Sequence, residues 1–360
     1  MAGPISLRQW NRTLLQRQHL LERVDEDVLD VLDRCVGLQS QDPRVAFFGL
    51  WSRITDFDPA DLDDLMTGRE VVRMALLRST VFLMDSEDAR WVRPLAQASM
   101  DGEMRNNHVK HLAGADPVEV AAQGRELLSG TELSVKALKE ALSQRWPDAE
   151  AGSLVTVVRC LVPLVQVPPR GTWEGSATTT YSLYDDWCGP GESAVTGDEA
   201  VKDLIRLYLR GFGPSTIKGL QSWAGMTRLR PVVEAMEADW ELGKLTGPDG
   251  EELFDIEGMA LADESLSAPA RLVAPFDNIV VSQGTDRRRV VDDEIFPKLV
   301  TPNGRSPGFV LVDGRVAGTW KPVKAGKKTT IDIDYLVKVS ASGKREVEAE
   351  RERLTAFCYT

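Results

Sequence analysis

Two glutamines one residue apart, Gln39 and Gln41, open the segment LQSQDPRVAFFGLW and are the side chains best suited to chemistry. Gly37 ends the preceding helical pattern, and Asp42 stands before a proline, which restricts Asp42 to extended backbone. Residues i and i+2 of an extended segment share a face. The two amides are therefore predicted to project together from a turn that precedes a helix.

An amide group donates and accepts hydrogen bonds at once, but it does not ionise. Such a pair can hold a water and a sugar or phosphate oxygen between its members, yet it is a poor general base. The pair therefore favours a reaction whose leaving group is already activated. The alternative interpretation is structural, with both amides satisfying backbone groups at the helix start or facing water.

The other reactive side chains form no recognisable constellation. His108 and His111 have HxxH spacing without an evident third ligand, in a polar segment predicted to be an exposed linker. The sequence contains no GxSxG elbow and no Walker lysine arrangement. The cysteines, which lack CxxC spacing, are Cys35, Cys160, Cys188 and Cys358. We therefore expect no metal, no cofactor and no disulfide framework.

Length and charge limit the classes that remain. A chain of 360 residues predicts several compact units, and a formal net charge of -12 argues against a polybasic nucleic-acid binder. The N-terminus has no apolar run typical of a signal peptide, and the apolar stretch that starts at Leu154 is too short for a membrane helix. We expect a soluble, cytoplasmic monomer.

Helical spacing from Leu7 to Leu21 and from Asp25 to Val36 predicts the first elements. Asp42 is predicted to cap the next helix, and Asp58-Pro59 to open another. Two β-rich runs follow in EVVRMALLRSTVFLMD, and short helices followed by a two-stranded ribbon are typical of a winged helix. The same order returns twice, most clearly before a hairpin that turns at Pro248-Asp249-Gly250.

The predicted fold class is α+β, with tandem winged-helix (helix-turn-helix) modules and a C-terminal β-rich domain. The predicted units are winged helix 1 at residues 1–112, winged helix 2 at 113–190, winged helix 3 at 198–257 and the β-rich domain at 258–360. In the last unit VDGRV is a tight hairpin signal, and KREVEAERERLTAF is a terminal helix.

Basic side chains gather in three places in an acidic chain. The third module contributes Arg206, Arg210, Lys218, Arg228 and Arg230, and a later segment contributes Arg305, Arg315, Lys321, Lys324 and Lys327. Between them, Arg287 to Arg289 are predicted to lie on a hairpin that contacts DNA. Solvated charges on three separate surfaces explain this spacing equally well, and the fold alone does not decide.

Six segments, in order, carry a resemblance over almost the whole chain: LQSQDPR, LLRSTVFLMDSEDARWVRPL, PPRGTW, FGPSTIKGLQSWAGM, APFDNIVVSQGTDRRRV and VLVDGRVAGTWK. They resemble the AlkZ/YcaQ family of winged-helix DNA glycosylases, whose bacterial members remove bulky N7-alkylguanines and unhook DNA cross-links. The Q-x-Q element resembles the AlkZ branch. This chain departs from the family at Ser79 and Phe82, where many relatives have Gly and His, and at Ser40, where a more apolar residue is typical.

The resemblance implies a concave channel of DNA size and assigns catalysis to Gln39 and Gln41. Apart from the resemblance, the residues that we predict to bind DNA are Arg287, Arg288, Arg289, Asn278 and Arg170. An N7-alkylated guanine is cationic and leaves readily, so two amides that position a water against the oxocarbenium-like C1′ suffice. A cross-linked base cannot swing fully out of the stack, which argues against a tight base-flipping pocket.

The implied function is a monofunctional DNA glycosylase. Its partner is double-stranded DNA that contains alkylated guanine, including interstrand cross-links, and its product is an abasic site. The resemblance further implies self-resistance to a DNA-alkylating natural product.

Two other classes remain open. A non-catalytic winged-helix protein, either a transcriptional regulator or a lesion-binding protein, predicts salt-dependent DNA binding that leaves the lesion intact. A protein-interaction scaffold suits the acidic net charge and predicts no measurable DNA affinity.

Overall fold

The computed structural model describes residues 3–175, 178–299, 305–325 and 328–358. Over these residues the chain combines α-helices with small antiparallel sheets, which confirms the α+β prediction. None of the helices in these ranges is both long and apolar enough to cross a membrane.

The N-terminal part carries most of the first sheet. Its elements are α1 (Leu7–Arg17), α2 (Val28–Cys35), β1 (Leu38–Gln39), α3 (Val45–Trp51), α4 (Pro59–Thr67), β2 (Val71–Ala75), β3 (Val81–Asp85), α5 (Ser86–Leu95) and α6 (Gln97–Glu103). Asp58 caps α4 ahead of Pro59, as predicted. The predicted cap at Asp42 is wrong. Its carboxylate accepts a hydrogen bond from the Arg44 N–H at 3.1 Å, so Asp42 and Pro43 form a turn and α3 begins at Val45.

A second group of elements repeats the same order. After a π-helical turn and a short 3-10 turn that cover residues 104–111, the group consists of α7 (Pro117–Leu128), β4 (Leu133–Ser134), α8 (Val135–Arg145), α9 (Ala151–Leu161), β5 (Leu164–Gln166) and β6 (Thr180–Leu183). The helical turns show that the segment of His108 and His111 is not a linker. Met74 of β2 pairs with Val165 of β5, which joins both groups in one six-stranded sheet of order β1-β3-β2-β5-β6-β4.

The third group also ends in a hairpin. It follows α10 (Tyr184–Cys188) and consists of α11 (Gly197–Phe212), α12 (Ile217–Ala224), α13 (Arg230–Ala238), β7 (Leu242–Thr246) and β8 (Glu252–Ile256). The predicted turn is confirmed, because β7 and β8 form a hairpin and Gly250 has φ +85°. The first two groups contain a helix, a short strand, two helices and a hairpin in this order, and the third contains three helices before its hairpin. The winged-helix character of these groups stays a prediction. The module boundaries themselves stay predictions.

The C-terminal part forms a separate sheet. Its elements are β9 (Arg271–Val273), α14 (Phe296–Leu299), β10 (Gly308–Val312), β11 (Arg315–Ala325), β12 (Lys328–Tyr335) and α15 (Ala341–Phe357), and the strand order is β12-β11-β10-β9. The VDGRV hairpin is confirmed, with Val312 opposite Arg315 and positive φ at Asp313 and Gly314. The terminal helix is also present as α15.

The hairpin predicted for Arg287 to Arg289 is wrong, because Gly284–Arg289 is a 3-10 helix. The physical reason lies in Asp286, whose carboxylate accepts hydrogen bonds from the Thr216 N–H and the Ser215 hydroxyl at the start of α12. These bonds hold the segment against a helix, where it cannot pair as a strand.

An aromatic cluster fastens α3 to the C-terminal sheet. Phe48 of α3 packs edge-on against Trp320 of β11, with ring centroids 5.4 Å apart. Phe357 of α15 contacts Trp51 and Trp173 from the other side. Each such side chain contributes about 1.5–3 kcal/mol through burial, so the helix that follows the glutamine pair is held firmly.

A buried ion pair joins the same two parts of the chain. The Arg53 guanidinium lies 2.9 and 3.0 Å from the Asp277 carboxylate, and neither side chain is more than 1% exposed. Arg53 also donates to the carbonyl of Gly49 and to the Gln18 amide oxygen. Burial by itself would lower the Arg53 pKa, but the Asp277 carboxylate outweighs it and the net shift is upward.

We predict that Asp277→Ala lowers the free energy of unfolding by about 3–5 kcal/mol, because Arg53 is left as a buried charge without its partner. Urea unfolding followed by circular dichroism measures the change. Glu140→Ala is the control, since Glu140 and Lys136 form an exposed ion pair of 3.9 Å on α8, worth at most about 0.5 kcal/mol. Equal losses for the two variants would contradict the prediction.

Candidate active site

The backbone that carries the glutamine pair is extended, as predicted. Val36 and Gly37 have φ of +55° and +71° and end α2, and a Cβ at Gly37 would meet the Leu83 carbonyl oxygen at 2.9 Å. Gln39 then pairs with Phe82 across β1 and β3. The Ser40 N–H donates to the Val81 carbonyl at 2.7 Å and continues the ladder for one more residue.

Ser40 is fully buried and is bonded to Arg73 of β2, which lies two strands away from β1 in the sheet. Its hydroxyl accepts a hydrogen bond from Arg73 Nε at 3.0 Å, and its carbonyl accepts one from Arg73 Nη2 at 2.5 Å. Arg73 also donates to the Gln166 amide oxygen. Burial, and after it the nearby Arg170, lower the pKa of Arg73 to about 10, which leaves the guanidinium charged at neutral pH.

Gln39 is buried to 8% exposure beside a second arginine. Its Oε1 accepts a hydrogen bond from Arg78 Nη2 at 3.0 Å. The same Nη2 lies 3.4 Å from Asn278 Oδ1, and Arg78 Nη1 donates to the carbonyl of Trp223. The Arg78 guanidinium therefore links the amides of Gln39 and Asn278.

Gln41 is exposed and lies at a cavity of about 630 Å³. Its Oε1 accepts a long hydrogen bond of 3.4 Å from the Val81 N–H. Lining residues with basic side chains are Arg44, Arg170, Arg305 and Lys324, and apolar lining residues include Phe48, Pro275, Phe276 and Trp320. Asp42 is the acidic residue of this lining, so the cavity wall carries an excess of positive charge.

The residues predicted to bind DNA divide into two groups. Arg170 lines the cavity beside Gln41, whereas Asn278 is buried to 3% exposure beside Arg78. Arg289 is fully buried and donates to the carbonyls of Phe212 and Pro214, so a DNA contact for this side chain is wrong. The 3-10 helix turns the Arg289 guanidinium inward, where it binds these carbonyl groups.

The neighbours of Arg289 are engaged as well. Arg288 binds the carboxylates of Asp249 and Glu251. Arg287 donates to the Gly284 carbonyl at 2.7 Å, and its guanidinium lies 3.8 Å from the centroid of the Phe296 ring.

The other predicted basic clusters are partly neutralised. Arg206 binds Glu199, Asp203 and Glu241, and Arg210 binds Asp33. In the later cluster Arg315 binds Asp292, while Lys327 lies outside the described residues. These ion pairs use part of the basic charge of both clusters within the protein.

Arg73 and Arg78 were not predicted as site residues, although both lie in the apolar run VVRMALLRSTVF. An arginine in a buried strand needs hydrogen-bond partners, and this run contains no acidic residue to supply them. The sequence thus signalled two unusual cations, but not the partners that they bind.

Metal ligation has no support among the described residues, which contain no group of three His, Cys, Asp or Glu that could hold an ion. His108 of the HxxH pair lies 3.0 Å from the Ser153 hydroxyl through Nδ1.

Three comparisons with known proteins agree. The family model described as DNA glycosylase AlkZ-like matches residues 32–357. An interstrand DNA cross-link repair glycosylase of Streptomyces sahachiroi is 25% identical over 347 residues, with 88% of each chain covered. The solved structure of the Streptomyces sahachiroi DNA glycosylase AlkZ is 21% identical to this chain and has a TM-score of 0.78. The match covers 97% of this chain and 95% of the solved chain, so the fold is shared.

We predict that replacing Arg170 and Lys324 together by alanine weakens duplex DNA binding and lowers the salt dependence by about one unit of slope for each phosphate that is no longer bound. Fluorescence anisotropy over a series of salt concentrations measures both quantities. Arg288→Ala is the matched control, because its guanidinium already binds Asp249 and Glu251. If Arg288→Ala flattened the salt dependence more than the double variant, the assignment of the DNA surface to the cavity wall would fail.

Proposed function

The chain belongs to the AlkZ-like DNA glycosylase family, and from that premise we propose that it hydrolyses the N-glycosidic bond of N7-alkylguanine in duplex DNA. The observation that carries the proposal is the Q-x-Q turn, in which Gln41 is exposed at a cationic cavity and Gln39 is held by Arg78. The product is an abasic site.

The chemistry of the lesion matches the chemistry of the two amides. Alkylation at N7 places a positive charge on the imidazole ring, so guanine leaves as a neutral base when the bond from C1′ to N9 breaks. Gln39 and Gln41 cannot take up a proton, but they can orient the water that attacks C1′. Proximity and orientation then supply most of the acceleration.

The cavity beside Gln41 suits a large DNA substrate. Its basic residues attract the phosphate backbone, although the whole chain has a net charge of -12. Because Gln41 is exposed, a base that carries a bulky substituent can approach it without entering an enclosed pocket. We therefore extend the proposal to interstrand cross-links, which the name of the Streptomyces sahachiroi relative states for that protein.

A host with such an enzyme would survive its own DNA-alkylating natural product. Self-resistance is accordingly the biological role that we propose. A sensitive bacterium that expresses this chain should tolerate a DNA cross-linking agent better than one that expresses the Gln41→Ala variant.

We predict that Gln39→Ala and Gln41→Ala each slow base release by about 100-fold or more, because the attacking water loses its orientation. Single-turnover assays on a duplex with one N7-methylguanine, followed by alkaline cleavage, measure the rate constant. Gln123→Ala is the control, since Gln123 is a half-buried glutamine of α7, outside the proposed site, that accepts a hydrogen bond from Arg145.

Three results separate the candidate functions in this assay. Loss of activity in the two site variants but not in the control supports the proposal. An intact lesion after long incubation, with salt-dependent binding, indicates the non-catalytic DNA-binding protein instead. No affinity at low salt indicates a protein-interaction scaffold.

We also predict that the enzyme is monofunctional. Lys324 is the lysine that lines the described wall of the cavity, and a glycosylase with lyase activity would form an imine between such an amine and C1′. In the proposed reaction the nucleophile is a water and not this amine. Sodium borohydride should therefore trap no covalent complex during turnover, and the product strand should break only after alkali. A trapped adduct that disappears in Lys324→Arg would contradict this prediction.

A further inference from the structure

We infer that Arg78 is a positioning residue, which holds the amide of Gln39 with its oxygen against the guanidinium and its NH2 group free for the substrate. The inference rests on the proposed glycosylase function and divides the labour between the two glutamines. Gln39 acts as a hydrogen-bond donor, and Gln41 supplies the acceptor.

The contacts of Arg78 determine which end of the Gln39 amide faces it. A guanidinium has only donors, so the atom 3.0 Å from Arg78 Nη2 must be the amide oxygen. The same reasoning applies to Asn278, whose oxygen lies 3.4 Å from Nη2. Both carbonyl groups thus point at one cation, and both NH2 groups point away from it.

The two NH2 groups lack acceptors in the described part of the chain. No hydrogen bond of Gln39 Nε2 is formed there, and Asn278 Nδ2 is buried without a partner. An unsatisfied buried donor such as Asn278 Nδ2 destabilises the fold, and such donors in a native structure call for an explanation. An oxygen of the substrate or of the attacking water would satisfy the donor of Gln39.

Arg78 differs from Arg53, which binds Asp277, because no carboxylate lies within 4.0 Å of Arg78 among the described residues. Its partners are neutral oxygens and the Phe82 ring, whose centroid is 5.2 Å from the guanidinium carbon. The full charge is therefore available to polarise the Gln39 amide, which strengthens its NH2 group as a donor.

The backbone around Arg78 is held in an unfavourable conformation. Arg78 and Ser79 both have φ of +58°, a left-handed conformation that is unfavourable for residues other than glycine. Contacts on both sides maintain it. Gly225, at the end of α12, lies so close that a Cβ there would be 2.8 Å from Arg78 Cγ, and Arg159 Nη1 donates to the Ser79 carbonyl at 3.2 Å. Strained residues of this kind cluster at functional sites.

These roles lead to the attack of a water on C1′. The NH2 group of Gln39 donates to the oxygen of the attacking water, and the carbonyl of Gln41 accepts one of its protons as a hydrogen bond. The long 3.4 Å bond between Gln41 and the Val81 N–H is weak enough to exchange for this contact. The water oxygen bonds to C1′, the pair of the C1′–N9 bond neutralises the imidazole ring, and the proton leaves to solvent.

The first test is Gln39→Glu, which keeps the shape and the oxygen that faces Arg78 but removes the donor. In single-turnover release of N7-methylguanine, it should lose as much activity as Gln39→Ala, to within about 3-fold. Activity equal to that of the wild-type protein would overturn the inference. A wild-type protein that releases no base would overturn the proposed function instead.

The second test is Arg78→Met, with Arg351→Met as the control on α15, where Arg351 contacts Glu348. Loss of positioning should lower the rate constant about 10-fold or more while the Kd for lesion DNA stays within about 2-fold. The double variant with Gln39→Ala should be no slower than Gln39→Ala alone.

Two outcomes of the second test count against the inference. A raised Kd with a lower salt slope at an unchanged rate constant would make Arg78 a phosphate contact. Additive losses in the double variant would make its role independent of Gln39. If Arg78→Met does not fold, as the absence of a cooperative thermal transition shows, Gln39→Glu decides alone.

Discussion

The buried ion pair between Arg53 and Asp277 is the constraint on which the site depends. Two charges removed from water are stable only when their attraction and added hydrogen bonds offset desolvation, and here the Gln18 oxygen and the Ile279 N–H supply two such hydrogen bonds. Arg53 lies just after α3, the helix that follows the glutamine turn, and Asp277 is the residue before Asn278. The pair thereby brings Asn278 and Gln39, distant in sequence, to the same guanidinium of Arg78.

The arginines of this protein have two different tasks. Several that connect distant parts of the chain bind carboxylates, as Arg17 binds Asp255 at 2.7 Å and Arg271 binds Glu350 at 2.9 Å. Arg73 and Arg78, next to the glutamines, bind only neutral oxygens. No carboxylate partner cancels their positive charge, which in a chain of net charge -12 lies beside the proposed site.

Local rules in the sequence were enough to predict several elements. Gly37 as a helix stop, Asp58-Pro59 as a helix start and Pro248-Asp249-Gly250 as a turn all depend on backbone preferences of neighbouring residues. The same reasoning failed for the hairpin predicted at Arg289, because the charge of Arg289 is buried against carbonyls more than seventy residues away in sequence. The extended geometry of Gln39 was predictable, but its contact with Arg78 was not, because it depends on two left-handed residues that no pattern signals.

Two of the three positions that depart from the family pattern, Ser79 and Phe82, lie at this same contact. Phe82 is the strand partner of Gln39 and packs beneath the Arg78 guanidinium, and Ser79 adopts the left-handed conformation that a glycine would adopt at lower cost. Phenylalanine cannot exchange a proton, whereas histidine, typical of many relatives at this position, can. No ionisable base therefore stands opposite Gln39 on β3. This absence at Phe82 favours a reaction in which the leaving group brings its own positive charge and the protein needs only to orient a water.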